Sequence, residues 1–457
     1  MYFNSVDASL ADVEIREDIE NHVVKKTADN IISPVLISYV WWVLTRALKN
    51  GQKKLYFLAR DGYIMHKIAE QFRERFNLDV ECRCLYGSRL AWRTAAYNFI
   101  GDEKYKYIFS GGYLLTPRII LKRVLADSEQ RQRIYSDINN GIHINSNCGY
   151  DLSNENQALN SKSMKIFAER LKKSRIFSEY LDYISEKQFH GASMYLRQEG
   201  VFDGNDIVIV DSGWTGSVQR TLRQIAERHV ANPNITGYYF GLYAQSDDLR
   251  DGKYETWYFN RKSPVSVMTN FNNNVFEFMC VSPFKMTVGY EFSESSGVYI
   301  PVHSDSDSEQ TSKEAIRLNR YIENFTSDFL NNSDINFDDY NDVYLEKSRK
   351  LLKRFMINPT KIEAEAFGQY KFCDDASDSY KNDLARIVDG NYLKQYSVIK
   401  RLFRKISKKT AGKNELPDLF WFHGSLAVSE IKNQKLHRFN YKLWEFSRIL
   451  IKKYRLN

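Results

Sequence analysis

The stretch Ile207-Val208-Ile209-Val210-Asp211-Ser212-Gly213-Trp214-Thr215-Gly216-Ser217-Val218-Gln219 sets the reading of the whole chain. Four consecutive β-branched residues, 207–210, have the pattern of a strand buried on both faces of a parallel sheet. Asp211 follows at the strand's end, then come two glycines and two hydroxyls, and a helix is expected from Ser217 through Ile225. Ligands of open α/β sheets bind at the carboxyl ends of strands. A helix start with free N–H groups and small residues accepts a phosphate. Thr215 and Ser217 add hydroxyl donors, and Asp211 can accept from sugar hydroxyls.

An earlier stretch has the same plan. Lys54 to Ala59 reads as a strand, Arg60-Asp61-Gly62 as a tight turn, and Tyr63 to Phe76 as a helix. The two turns together suit one small molecule with anionic groups at both ends. Val80 to Tyr86 reads as a second strand ending in Gly87-Ser88-Arg89, which makes Arg89 an anion-binding candidate with Arg93 nearby. Ile235 to Ala244 and Glu255 to Phe259 complete the expected strands. Ser33-Pro34 marks a helix start and Asn50-Gly51 its end, and this helix is expected to pack on the sheet. Residues 102–200 read as a helical insertion, with a long helical pattern from Lys162 to Glu199 and an Asn-, Ser- and Gly-rich loop over 141–160. Glu277 sits in an apolar helical setting between Asn270 and Val281, and Met286 to Pro301 reads as a hairpin turning at Ser295-Ser296-Gly297.

Composition narrows the function classes. The chain has 457 residues, long enough for a large core and two units. We place the change of domain near residue 305, with an α/β unit over 1–305 and a mostly helical, basic unit over 306–457. A net charge of +8 suits an anionic substrate or membrane surface but is too diffuse to argue for nucleic acid. Five scattered cysteines, an odd number, fit a reducing cytoplasm. The N-terminus is acidic and has no apolar h-region, so no signal peptide is expected. The apolar run Pro34 to Leu48 is shorter than the ~20 residues that span a bilayer.

Several phosphate chemistries are excluded at the key stretch. A dehalogenase-type phosphatase needs a second acid two residues after its nucleophile, and Gly213 stands there. A Walker A loop needs a lysine after its second glycine, and a dinucleotide fingerprint needs G-x-G-x-x-G; both are absent. An apolar strand, an acid and Thr-Gly-Ser opening a helix resemble the donor loop of type I phosphoribosyltransferases. Two departures, Ser212 in place of a second acid and a loop about one residue shorter, argue against nucleobase salvage. A closer resemblance rests on Phe57-Leu58-Ala59-Arg60-Asp61-Gly62-Tyr63, Leu85-Tyr86-Gly87-Ser88-Arg89, Val210 to Gln219 and Gly237-Tyr238-Tyr239-Phe240-Gly241-Leu242. These phrases look like a bacterial family from surface-polysaccharide gene clusters, often fused to a haloacid-dehalogenase phosphatase.

The resemblance implies an α/β fold with a Rossmann-like parallel sheet of phosphoribosyltransferase type, a helical insertion and a helical C-terminal region. It implies transfer of ribofuranose 5-phosphate from phosphoribosyl pyrophosphate to a lipid-linked glycan, with a separate phosphatase acting on the product. Expulsion of pyrophosphate leaves an oxocarbenium-like sugar, so charge stabilisation and positioning are the protein's task. Mg²⁺ is the expected cofactor, held by the donor itself, with no direct protein ligand and Asp61 or Asp211 reached through water. Asp61, Asp211 and Glu277 are the expected catalytic acids. Arg60, Gly62, Arg89, Ser212, Gly213, Trp214, Thr215, Gly216, Ser217 and Gln219 are expected to bind substrate. The basic, aromatic run from Lys435 to Asn457 suits contact with the inner face of the cytoplasmic membrane. A donor-binding regulator or scaffold without turnover is the alternative reading.

Overall fold

Alternation along the strands assigns two apolar faces to one sheet. In β1 (Lys54–Ala59), Leu55 and Phe57 enter one buried cluster, whereas Tyr56 and Leu58 enter another. In β3 (Asp206–Trp214), Val208 and Val210 join the first cluster, and Ile207 and Ile209 join the second. A strand buried on both sides needs helices on both sides. With β2 (Glu81–Tyr86), β4 (Asn234–Leu242) and β5 (Lys253–Phe259), these strands form a five-stranded parallel sheet in the order β2-β1-β3-β4-β5. This computed structural model describes residues 20–109, 115–139, 154–304, 309–332, 334–372, 382–397 and 419–455. The expectations for residues 1–19 and most of the loop over 141–160 lie outside the described residues.

On the first face lie α1 (Ser33–Lys49) and α2 (Gly62–Phe76). The helical run that contains α1 extends from Glu20 to Lys49, longer than its apolar pattern suggested. Among the described residues it alone is long and apolar enough to cross a membrane, yet 78% of its most apolar window is buried inside the protein. Trp41 and Leu44 are fully buried there, so the run serves as a core helix. On the second face lie α3 (Arg89–Ala96), α8 (Arg175–Gln198) and α9 (Ser217–Ala226).

The insertion comprises α4 (Glu103–Phe109), α5 (Pro117–Lys122), α6 (Ser128–Asn139), α7 (Ser161–Lys173) and α8. It has its own apolar cluster, in which Ile108, Ile120, Ile134, Phe167 and Leu181 are buried. Its long helical pattern is broken at Ser174, whose hydroxyl accepts from the Phe177 N–H and starts α8 as an N-cap.

After β5 come α10 (Val265–Thr269), α11 (Asn273–Met279) and a hairpin of β6 (Thr287–Ser293) and β7 (Val298–His303). Then α12 (Glu309–Asn332) packs on α2, and α13 (Val343–Ile357) packs on α1. Next are α14 (Lys361–Gly368), α15 (Phe422–Val428) and α16 (Gln434–Arg455). Buried Leu318 and Leu352 from these later helices, and Trp421 just before α15, enter the same apolar cluster as α1 and α2.

The central strands carry this packing, so their truncation tests it. Phe57 is fully buried in β1, and Phe57→Ala is expected to cost about 3–5 kcal/mol of stability. Denaturant unfolding followed by circular dichroism measures the loss.

Candidate active site

In a sheet of order 2-1-3-4-5, the chain leaves β1 and β3 toward opposite faces, and the crevice between their carboxyl ends is where ligands bind. Arg60, Asp61 and Gly62 end β1 and open α2. Tyr56 pairs with Ile209 and Phe57 with Val210, a register that brings Asp211 and Ser212 of β3 to the end of β1, just before this turn. The Ser212 hydroxyl donates to Asp61 Oδ2, joining the two turns across the crevice. The duplicated turns therefore form one site.

The strand does not end at Asp211, as its apolar pattern suggested. It continues to Trp214, pairing Gly213 with Gly241 and Trp214 with Leu242 on β4. A Cβ on Gly213 would stand 2.4 Å from the Gly241 carbonyl, so only glycine lets the backbones stay this close. From α1, the Tyr39 hydroxyl reaches the carbonyls of Asp211 (3.0 Å) and Tyr238 (2.9 Å) and fixes the extension from below. Only Thr215 and Gly216 remain between strand and helix. Gly216 has φ +60°, and a Cβ there would meet the Tyr254 ring at 2.5 Å. Trp214 also has positive φ, at 72°, an uncommon state for a bulky residue and a mark of local strain.

Two carboxyl groups meet at the crevice floor. Burial and the neighbouring Asp61 push the Asp211 carboxyl up to about 8. Burial raises Asp61 as well, opposed by the Ser212 hydrogen bond and by Arg60 and Arg89. Like charges in one desolvated place cannot both ionise easily, so the pair retains a proton near neutral pH. Arg60 and Arg89 are exposed at the rim and make no ion pair among the described residues. The Cys280 thiol is fully buried, and its burial with Asp61, Glu277 and Asp211 nearby raises it well above its ordinary value. It is a neutral wall of the site.

Glu277 on α11 also belongs here. The Trp214 indole N–H donates to its Oε1 at 2.6 Å, and its charge contributes to raising Asp211. The Trp214 ring lies among Phe271, Phe276 and Phe259, with centroids at 5.4, 5.8 and 6.5 Å. Trp214 thus bonds to the site's acid and packs in an aromatic wall, where the sequence suggested a direct substrate contact. Thr215 is exposed, and its hydroxyl lies 3.2 Å from Ser217 Oγ at the start of α9.

Gln219 corrects the sequence reading. Its side chain is fully buried below α9, where Nε2 donates to the Asp251 and Lys253 carbonyls and Oε1 accepts from the Tyr239 hydroxyl. Both its donors are used and the side chain has no exposure, so it fastens α9 to the sheet instead of facing the crevice. Nearby, Arg223 Nε donates to the fully buried Asp251 carboxylate at 2.6 Å.

Arg93, which the sequence reading named only as a neighbour of Arg89, also reaches the crevice. It lies one helical turn beyond Arg89 on α3, at the i,i+4 spacing that puts two side chains on one helix face. Its Nη2 donates to Ser217 Oγ at 3.1 Å, its guanidinium rests on the Tyr107 ring, and its buried Nε has no partner. Burial and nearby Arg89 bring this guanidinium down to about 10. It makes no ion pair with an acid among the described residues. The insertion also grips α9 through Glu103, which binds Arg220 at 3.1 Å.

The chain matches no family model, and no curated protein matches it significantly. His66, one turn into α2, is partly buried against Phe57, with Nε2 3.2 Å from the Cys82 carbonyl.

The acid pair predicts an unusual pH dependence. Between about pH 4 and pH 8 the unfolded chain loses the Asp211 proton while the folded protein retains it, so this group lowers stability as pH rises. Asp211→Asn is expected to remove that slope. Melting temperatures of both proteins across pH 5–9 measure it, and parallel curves would contradict the assignment.

Proposed function

We propose that the protein is a phosphoribosyltransferase that moves ribofuranose 5-phosphate from phosphoribosyl pyrophosphate to a glycan hydroxyl. One observation carries this reading: the largely desolvated Arg93 guanidinium faces the start of α9 and makes no ion pair among the described residues. A buried cation without a counter-charge is costly, and a phosphate would supply one. Thr215, Ser217 and the free N–H groups opening α9 complete a phosphate cradle. Arg60 and Arg89, exposed across the acid pair, suit the pyrophosphate end of the same donor. Asp211, between the two, is placed for the ribose hydroxyls.

The carboxylate oxygens of Asp61 and Asp211 are hard donors whose mutual repulsion a divalent cation would relieve. Bound with the donor, Mg²⁺ would neutralise the departing pyrophosphate, with these two acids reached through water. The chain's own residues then position and stabilise. The C1–O bond to pyrophosphate breaks, and a glycan hydroxyl forms the new C1–O bond from the opposite face, giving a β-linkage. Glu277 takes the hydroxyl proton. Asp61 is poorly suited to that task, because its burial in the acid pair favours the protonated form.

Transfer is tested by pyrophosphate release from the donor in the presence of a lipid-linked glycan. Arg93→Met is expected to weaken donor binding by about 10–100-fold through one lost charge-assisted contact. Glu277→Gln is expected to lower turnover by about 100-fold or more while donor affinity stays unchanged. Donor binding without acceptor-dependent pyrophosphate release would instead favour a regulator or scaffold.

A further inference from the structure

Among the described residues, nothing covers the outer face of α16. Leu436, Phe439, Leu443 and Phe446 are 56%, 59%, 42% and 44% exposed. Their spacing of three, four and three residues places them in one stripe along the helix. Exposed Lys435 and Lys442 flank the stripe, and Lys432 lies just before the helix. The helix's only acid, Glu445, is buried on the opposite face and paired with Arg448 at 2.6 Å. That inner face is firmly seated: Tyr441 stacks on Phe422 at 3.8 Å, Trp444 meets Tyr396 at 5.0 Å, and Ile449 is buried. The apolar stripe is therefore left over after the helix has packed.

We infer that this face docks the protein on an anionic lipid bilayer. A row of large apolar side chains flanked by lysines, with no exposed acid on the helix itself, matches the boundary between anionic headgroups and acyl chains. A second copy of the helix fits less well, since Lys435 and Lys442 would meet no acid on the facing stripe. The location also suits a membrane-bound acceptor. Tyr243, whose ring lies 6.3 Å from that of Trp214 in the site, is close enough to α16 to feel the charges of Glu445 and Arg448.

The test is co-sedimentation of the full chain with phosphatidylcholine vesicles, with or without phosphatidylglycerol. Binding is expected only when phosphatidylglycerol is present and should weaken with salt. Two double variants, Phe439→Asp with Phe446→Asp and Lys435→Glu with Lys442→Glu, change exposed positions and should retain the circular dichroism of the parent. Each is expected to lower vesicle partitioning by at least about tenfold. No binding by the folded parent, or equal binding by both variants, would overturn the inference. So would a dimer in light scattering that the phenylalanine variant abolishes.

Discussion

Two carboxyl groups, Asp61 and Asp211, meet where β1 and β3 send the chain to opposite sides of the sheet, and much of the surrounding structure serves to hold them there. Their closeness is unfavourable for two charged acids, and burial adds to the effect. The compensation is local. Ser212 donates to Asp61, Arg60 and Arg89 stand at the rim, and a retained proton lowers the charge. Tyr39, reaching up from a core helix, fixes the backbone that carries Asp211. A site built this way is prepared for cations and hydroxyl donors before any ligand arrives.

The opposite electrostatic condition holds a short distance away. Arg93 is a half-buried cation that makes no ion pair among the described residues, held by Ser217 and the Tyr107 ring. Tyr107 belongs to the insertion, as does Glu103, which binds Arg220 of α9. The insertion therefore shapes the cation-rich side of the crevice, and the α/β sheet supplies its acid side. The crevice thus has acids on its floor, Arg60 and Arg89 at one rim and Arg93 on the other side.

Much of this was legible in the sequence because it depends on local pattern. Apolar runs marked β1 and β3, and the glycine-bearing turns at Arg60-Asp61-Gly62 and Thr215-Gly216 marked where each strand gives way to its helix. The hairpin turn at Ser295-Ser296-Gly297 and the helix from Gly62 also follow from local signals. The differences arise from tertiary contacts. The extension of β3 to Trp214 needs Gly241 opposite Gly213, a pairing no local window contains. Gln219 looked available in a helix's first turn, but the loop around Asp251 passes beneath it. Arg93 gains its importance from the direction in which α3 faces α9, and its spacing from Arg89 was the one local clue. The break at Ser174 was a capping signal within an otherwise continuous helical pattern.

The central claim is that the crevice between β1 and β3 binds a sugar carrying phosphate groups at both ends. Calorimetric titration of the wild-type protein with phosphoribosyl pyrophosphate and Mg²⁺, alongside ribose 5-phosphate and pyrophosphate alone, tests it most directly. The account predicts one saturable site, tightest for the intact donor, with each fragment weaker and the two competing little with each other. Absence of donor binding by the folded protein, or equal affinity for the donor and a single fragment, would contradict it.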